Sequence, residues 1–274
     1  MSINDLSPYL SPDSEPATRL SVVAYFDILG YVDEARQSYH NGSSHELLVR
    51  LRGALTDGYE SLRDNISRER GRVPGWEVKT FTDNVVIGYP VYEDGEFELG
   101  SVLESLGLFQ SYLVNEGFFI RGGVSVGHLY MDRDIVFGDG LLEAYEAESK
   151  LARDPRIVLA DSARSYLLRH LQDYTSPDVA PQNMAVLEDE DGQLFLNYLG
   201  SVFMSDPPSS EWLEQHKASV ESKLQAFKGS PSIWSKYAWT ARYHNYFCSS
   251  YPDFEEFLID SHLYMRRMRW LHEK

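Results

Sequence analysis

The stretches SVVAYFDILGY (residues 21–31) and EVKTFTDNVVIGYP (residues 77–90) decide how this chain folds. The first is a short apolar, β-prone run that stops at Gly30, after which DEARQSYHNG and SSHELLVRLRGALTDGYESLRDN carry helical spacing. The second holds two strand-like runs, EVKTF and NVVIGYP. Only Thr82-Asp83 separates them, which predicts a hairpin.

Downstream, LGSVLESLGLFQSYLVNEG repeats apolar positions at three and four and is closed by Gly117, as a helix is. FFIRGGVSVGHLYM reads as a second strand pair, with glycines where the backbone must bend or be approached closely. The order β-α-α-β-β-α-β-β begins with βαββαβ once the extra helix is set aside. That is the split, ferredoxin-like α+β arrangement, with both helices behind an antiparallel-rich sheet. After Gly138 come a helix to about Ala152, the strand RIVLA, another helix, and two weaker strands around MAVLE and LFLNYLG. From Pro207 the composition turns to three long aromatic-rich helices, SSEWLEQHKASVESKLQAF, SIWSKYAWTARYHNYF and FEEFLIDSHLYMRRMRWLHEK, a C-terminal helical appendage suited to core or dimer contacts. The expected organisation is a mobile N-terminal arm at 1–19 (rich in Ser, Pro and Asp), a main domain at 20–204 and the helical region at 205–274.

At 274 residues the chain can bury a sizeable core without staples, and its single cysteine, Cys248, can form no intramolecular disulfide. No segment is apolar enough to span a membrane, and the N-terminus lacks the charged start and apolar run of a secretory signal, so a cytoplasmic location is expected. A formal charge of −17 argues against a nucleic-acid partner, which would ask for a basic stripe. If the ligand is an anion, metal ions must do much of the neutralising, and paired carboxylates become the feature to look for.

Asp27, in YFDILGY, and Asp83, at the hairpin in KTFTDNVV, are such a pair. In a βαββαβ sheet the first strand lies beside the central hairpin, so the two acids can meet and share hard divalent cations that prefer carboxylate and phosphate oxygens. Read singly, each acid is equally a helix cap or a turn residue. The junction Ile28-Leu29-Gly30-Tyr31 supports the pairing, because backbone N–H groups at a Gly turn entering a helix cradle phosphate. Phe26, Leu29, Gly30 and Tyr31 are the candidate substrate contacts there. Asp139, after Gly138, reads as a cap for LLEAYEAE. Asp132 and Asp134 read as solvated acids of a hairpin tip beside His128. His244 and Cys248 share a helix face without obvious further metal ligands.

With those residues in hand, the stretch from about 20 to 200 resembles the class III adenylate and guanylate cyclase catalytic domain. YFDILGY resembles the family's first metal motif and KTFTDNVVIGY its K-T-x-G-D segment, with Thr82 replacing the glycine; FIRGGVSVG and IVFGDGLLEA follow in the family's order. Three positions depart from it. Ile135 stands where an acid reads the purine, and Leu142 and Glu146 stand where an Asn and an Arg serve the transition state. The variant FDILGY…KTFTDNVV…IRGG…FGDGLLEAYEAE instead resembles the Pycsar pyrimidine cyclases of bacterial antiphage defence, over most of the chain.

That resemblance implies a ferredoxin-like cyclase palm that closes UTP, or less favoured CTP, into its 3′,5′-cyclic monophosphate with release of pyrophosphate. The product is then read by a separate effector. It implies two divalent cations, Mn2+ or Mg2+, on Asp27, the Ile28 carbonyl and Asp83, with Lys79 donating to the base. It also implies a head-to-tail homodimer that combines metals from one subunit with Lys79 of the other. Arg121, the strand arginine with two glycines beside it, is the cation assigned to the triphosphate, with a structural ion pair as its rival reading, as a solvated strand lysine is the rival reading for Lys79. The alternative is a degenerate cyclase-like domain that binds nucleotide or a partner without turnover.

Overall fold

Strand β1 (Arg19–Ile28) is buried on both faces from Ser21 to Ala24, then alternates between half-buried and buried from Tyr25 onward. It is covered at its start and partly open at its end, which is where Asp27 stands. The computed structural model describes residues 7–11, 13–70, 76–92, 95–176, 180–204 and 210–265. After β1 come α1 (Tyr31–Asn41) and α2 (Ser44–Arg70), then β2 (Glu77–Phe81) and β3 (Asn84–Pro90), joined by the two-residue turn Thr82-Asp83. Helix α3 (Glu96–Asn115) ends where Gly117 takes φ 81°, and the amides of Phe118 and Gly117 donate back to the carbonyls of Leu113 (2.8 Å) and Val114 (2.9 Å). That left-handed closure is why a glycine is needed there.

The rest of this part comprises β4 (Ile120–Met131), β5 (Val136–Phe137), α4 (Asp139–Lys150), β6 (Ile157–Leu159), α5 (Asp161–Leu171), α6 (Pro181–Ala185), β7 (Val186–Glu188), β8 (Leu194–Leu196) and α7 (Tyr198–Met204). The sheet order is β2-β3-β1-β4-β6-β8-β7, with β5 paired to β4, and every pairing is antiparallel except β4 with β6. Its first four strands stand in the order 4-1-3-2, the ferredoxin-like βαββαβ arrangement expected, so the chain is α+β with a mostly antiparallel sheet.

One face of β1, through Val22, Ala24, Phe26 and Ile28, packs in a single core with Leu47 and Leu51 of α2 and Leu103, Leu106 and Phe109 of α3. Phe26 is wholly buried with its ring 5.2 Å from that of Phe109, and truncating such a residue to alanine costs about 3–5 kcal/mol. On the other face, Val23 and Tyr25 meet Leu129, Tyr130 and Ala144. In the stretch read from composition as an arm, Tyr9 is fully buried in that second cluster, with its hydroxyl 3.1 Å from Ser21 Oγ.

Three expectations about elements are corrected. FFIRGGVSVGHLYM is no strand pair: Ile120–Met131 is one continuous strand, and its turn comes only afterwards, where Met131 pairs with Val136. The glycines are points of close approach. A Cβ on Gly123 would lie 2.3 Å from the Ala144 carbonyl oxygen, and one on Gly127 would lie 2.7 Å from Gly140 Cα, so α4 rests directly on the backbone of β4. LFLNYLG is a strand only to Leu196, and Tyr198 opens a helix.

The third correction is in the C-terminal helices. The chain divides into two compact units, Met1–Asp206 and Pro207–Lys274. The second contains α8 (Ser210–Ala226), α9 (Pro231–Ser249), a 3-10 turn (Pro252–Phe257) and α10 (Ser261–Tyr264). The third long helix therefore does not form among the described residues, because Leu258 and Asp260 take extended backbone (ψ 137° and 122°) and the Asp260 carboxylate caps a new start, accepting the His262 amide at 2.8 Å; residues 266–274 of that expectation lie outside the described residues. No helix among the described residues is long and apolar enough to cross a membrane.

Candidate functional site

Strand register sets the site. Asp27 lies opposite Asn84 of β3 on one side and Arg121 of β4 on the other. The Ile28 amide donates to the Asp83 carbonyl at 3.0 Å, tying the β2–β3 turn to the end of β1. The two acids therefore occupy the same end of neighbouring strands, as the hairpin spacing predicted. Thr82 holds φ 56°, a left-handed conformation that β-branched residues avoid. Its hydroxyl is 2.7 Å from Asp83 Oδ1 and 2.6 Å from the Phe81 carbonyl, and its single proton can serve only one of them. The Asn84 amide also donates to Asp83 Oδ1 (3.2 Å), and the Tyr25 hydroxyl donates to Asn84 Oδ1.

Arg121 is committed within the chain. Its Nε donates to Asp27 Oδ1 at 3.0 Å and its Nη2 to Oδ2 at 3.2 Å, a bidentate fork, and Nε lies 2.9 Å from Glu148 Oε1. Burial opposes the arginine's charge, but the hydrogen bonds and charge of Asp27, with the charge of Glu148, outweigh it and hold the guanidinium above its ordinary pKa. Burial, with the charges of Glu148 and Asp27, pushes the Tyr25 phenol up to about 12, and its ring meets Tyr145 of α4 edge-on at 5.3 Å. Glu148 escaped the sequence reading. Its signal was a single acid in the buried row Gly140, Ala144, Ala147 of α4, a face otherwise built of small residues.

The remaining candidates divide. Phe26 turns its side chain into the core, so it can meet a ligand only through its backbone. Leu29 is half-buried, with its amide given to the Phe119 carbonyl at 2.7 Å. Gly30 holds φ 76° at the start of α1, and Tyr31 follows half-buried. The first turn of α1 already carries Asp33 and Glu34, which complement the helix dipole themselves. Lys79 gives its ammonium to the Asp132 carbonyl at 2.6 Å.

Asp132 is a turn residue, with Oδ1 accepting the amides of Asp134 (2.8 Å) and Ile135 (2.7 Å) and Oδ2 accepting the Tyr130 hydroxyl (2.7 Å); these bonds lower its pKa. The Asp139 carboxylate, in the first turn of α4 and expected as its cap, accepts the His128 amide at 2.7 Å and so pins α4 to β4. Leu142 is exposed, and Glu146 pairs with Lys150 at 2.8 Å on the surface.

Among the described residues, no group of three or more His, Cys, Asp or Glu is arranged to hold a metal. The protein can thus offer Asp27, Asp83 and backbone carbonyl oxygen, and the fork of Arg121 stands on the first of these. Such a donor set fits Mg2+ or Mn2+, which are commonly held by one or two carboxylates with substrate phosphates and water completing the shell.

No family model matches the chain. No curated protein matches it either. Among solved structures, it is similar to the monomeric guanylyl cyclase domain of the RhoGC fusion protein from the aquatic fungus Blastocladiella emersonii, with 14% identity over 65% of this chain and 94% of that one at a TM-score of 0.47. It is also similar to a class III adenylyl cyclase-like ATP-binding protein from Pseudomonas aeruginosa, with 13% identity over 73% of this chain and 42% of that one at a TM-score of 0.44. Likeness this weak assigns neither family nor activity.

Proposed function

We propose that the chain is a nucleotide cyclase that closes a nucleoside triphosphate into its 3′,5′-cyclic monophosphate and pyrophosphate. The observation that carries this reading is the pair Asp27 and Asp83, held by strand register at one end of a ferredoxin-like sheet. Divalent cations bound there would supply charge neutralisation at the phosphates and acidify the ribose 3′-hydroxyl. The chain's own part is positioning. Asp27 and Asp83 hold the cations, aided by the Ile28 carbonyl; the turn Leu29-Gly30-Tyr31 lies against the phosphates; and Arg121 reaches the triphosphate once Asp27 no longer occupies its fork. Phe26 contributes backbone only.

On the resemblance to the Pycsar enzymes, the substrate is a pyrimidine triphosphate, with UTP ahead of CTP, and the product is a second messenger of antiphage defence read by a separate effector. The exposed Leu142 and surface-paired Glu146 are consistent with a site that does not use the purine enzymes' Asn and Arg. The active form is a homodimer in which Lys79 leaves the Asp132 carbonyl to meet the base. The second reading, a non-catalytic nucleotide-binding domain, is favoured by one observation: both oxygens of Asp27 are taken by Arg121.

Incubation of the purified protein with ATP, GTP, CTP and UTP plus manganese, read by mass spectrometry beside Asp83→Asn, separates the two. A cyclic pyrimidine product absent from the variant establishes the cyclase. No product from any triphosphate, in folded dimeric protein, establishes the non-catalytic reading.

A further inference from the structure

Arg121 stands between two carboxylates of different exposure. Asp27 and Arg121 retain 22% and 29% of their side-chain surface, whereas Glu148 retains 4%. Arg121 Nε has one hydrogen, and it goes to Asp27; Glu148 Oε1 receives no hydrogen bond, so the 2.9 Å contact is ionic. Glu148 is brought there by α4 lying on the glycines of β4, where Ser125 Oγ also donates to the Gly140 carbonyl at 2.6 Å.

A divalent cation on Asp27 would stand against this guanidinium, and like charges at contact distance repel strongly in a partly buried site. Moving Arg121 away altogether would also give up its 2.9 Å contact with the buried carboxylate of Glu148. Both demands are met if the guanidinium leaves Asp27 and stays on Glu148.

We propose that Arg121 is the resident counter-cation of Asp27, displaced when a divalent cation binds, and that Glu148 is the buried anchor that retains it and turns its fork toward the phosphates. This rests on the two-acid metal site proposed above. Arg121 and Glu148 then act as positioning residues: metal loading and arginine release are one exchange, so the fork opens only when the cation that the phosphates require is present.

The test is Mn2+ alone, titrated by calorimetry into wild type, Asp27→Asn, and the double variant Arg121→Gln/Glu148→Gln, each first shown to be folded by circular dichroism. The double variant leaves the net charge of the site unchanged and removes the competitor together with its anchor. It is expected to bind Mn2+ about tenfold tighter than wild type, the equivalent of one good charge-assisted fork; equal or weaker binding overturns the exchange. Asp27→Asn is expected to lose binding, and if it binds as wild type does, the two-acid reading itself falls and the exchange with it.

In unmodified protein the Arg121 Nε–H nuclear resonance is expected to shift on titration with Mg2+. A resonance that stays put while Mg2+ binds at Asp27 would mean a merely structural arginine.

Discussion

The acid end of the sheet and the paired imidazoles of the C-terminal unit both crowd ionisable groups, and they resolve the crowding in opposite ways. At the sheet end, the partly exposed Asp27 and the buried Glu148 both face the guanidinium of Arg121, so each acid has a fixed counter-charge. In the C-terminal unit, His216 and His244 are wholly buried, their rings parallel with centroids 5.0 Å apart and Nδ1 atoms 2.9 Å apart. His244 Nε2 lies 2.9 Å from the Phe257 carbonyl, which can only accept. Nε2 therefore carries the proton of a neutral His244, and its Nδ1 accepts from His216.

Burial drives His244 down to about 4, opposing the Phe257 hydrogen bond, and burial with the neighbouring His244 drives His216 well below its ordinary value. The difference is access: a rim with a fixed counter-charge tolerates ions that can be exchanged, while a closed interior keeps its groups neutral. Cys248, fully buried nearby, follows the second pattern, its thiol pushed up to about 11.

The largest expected effect comes from breaking the charged side of this contrast. Asp83→Asn should reduce cyclisation by about 10³-fold or more, because a metal ligand worth several kcal/mol is lost, while melting changes little. Mass-spectrometric rates and a melting curve on the same preparation check both halves. Next, Gly123→Val drives side-chain atoms into the Ala144 carbonyl and lifts α4, and with it Glu148, away from β4. Overpacking of this kind costs about 1–3 kcal/mol or more, so the midpoint should fall by roughly 5–10 °C in a thermal scan.

The neutral side is sharpened by pH. Above the ordinary imidazole value of 6.5 the folded and unfolded forms of the histidines are both uncharged; as pH falls from there toward about 4, the unfolded chain takes up protons that the folded chain refuses. Stability is therefore present above pH 6.5 and lost below it. The drop in midpoint between pH 7 and pH 5 should be smaller in His216→Gln/His244→Gln than in wild type, whatever the variant's stability at pH 7.

The smallest effect is at the turn. Thr82→Gly relieves a left-handed threonine worth about 1–2 kcal/mol but adds about 0.5–1 kcal/mol of chain entropy, so the midpoint should rise by only about 1–3 °C.

The hairpin was legible because two apolar runs with two residues between them leave the chain no other short connection, and that alone placed Asp83 beside the end of β1. The misreading of IRGGVSVGH as two strands has an equally local cause: glycine signals both a bend and a close approach, and only the presence of α4 on Gly123 and Gly127 distinguishes them. Likewise the aromatic pattern from Phe254 onward hid the break at Leu258–Asp260, where an aspartate ends one turn and caps the next.

The sequence by itself determined the α+β class, the βαββαβ order and the placing of Asp83 on a hairpin turn, because period, turn length and strand order are local properties that add up to topology. Only the tertiary structure decided that Arg121 grips Asp27, that Glu148 lies behind it, and that Lys79 is held by the Asp132 carbonyl. Those contacts join residues far apart in the chain through cross-strand register and the seating of one helix on a glycine-lined strand, and no pattern along the chain encodes which side chains such packing brings within reach.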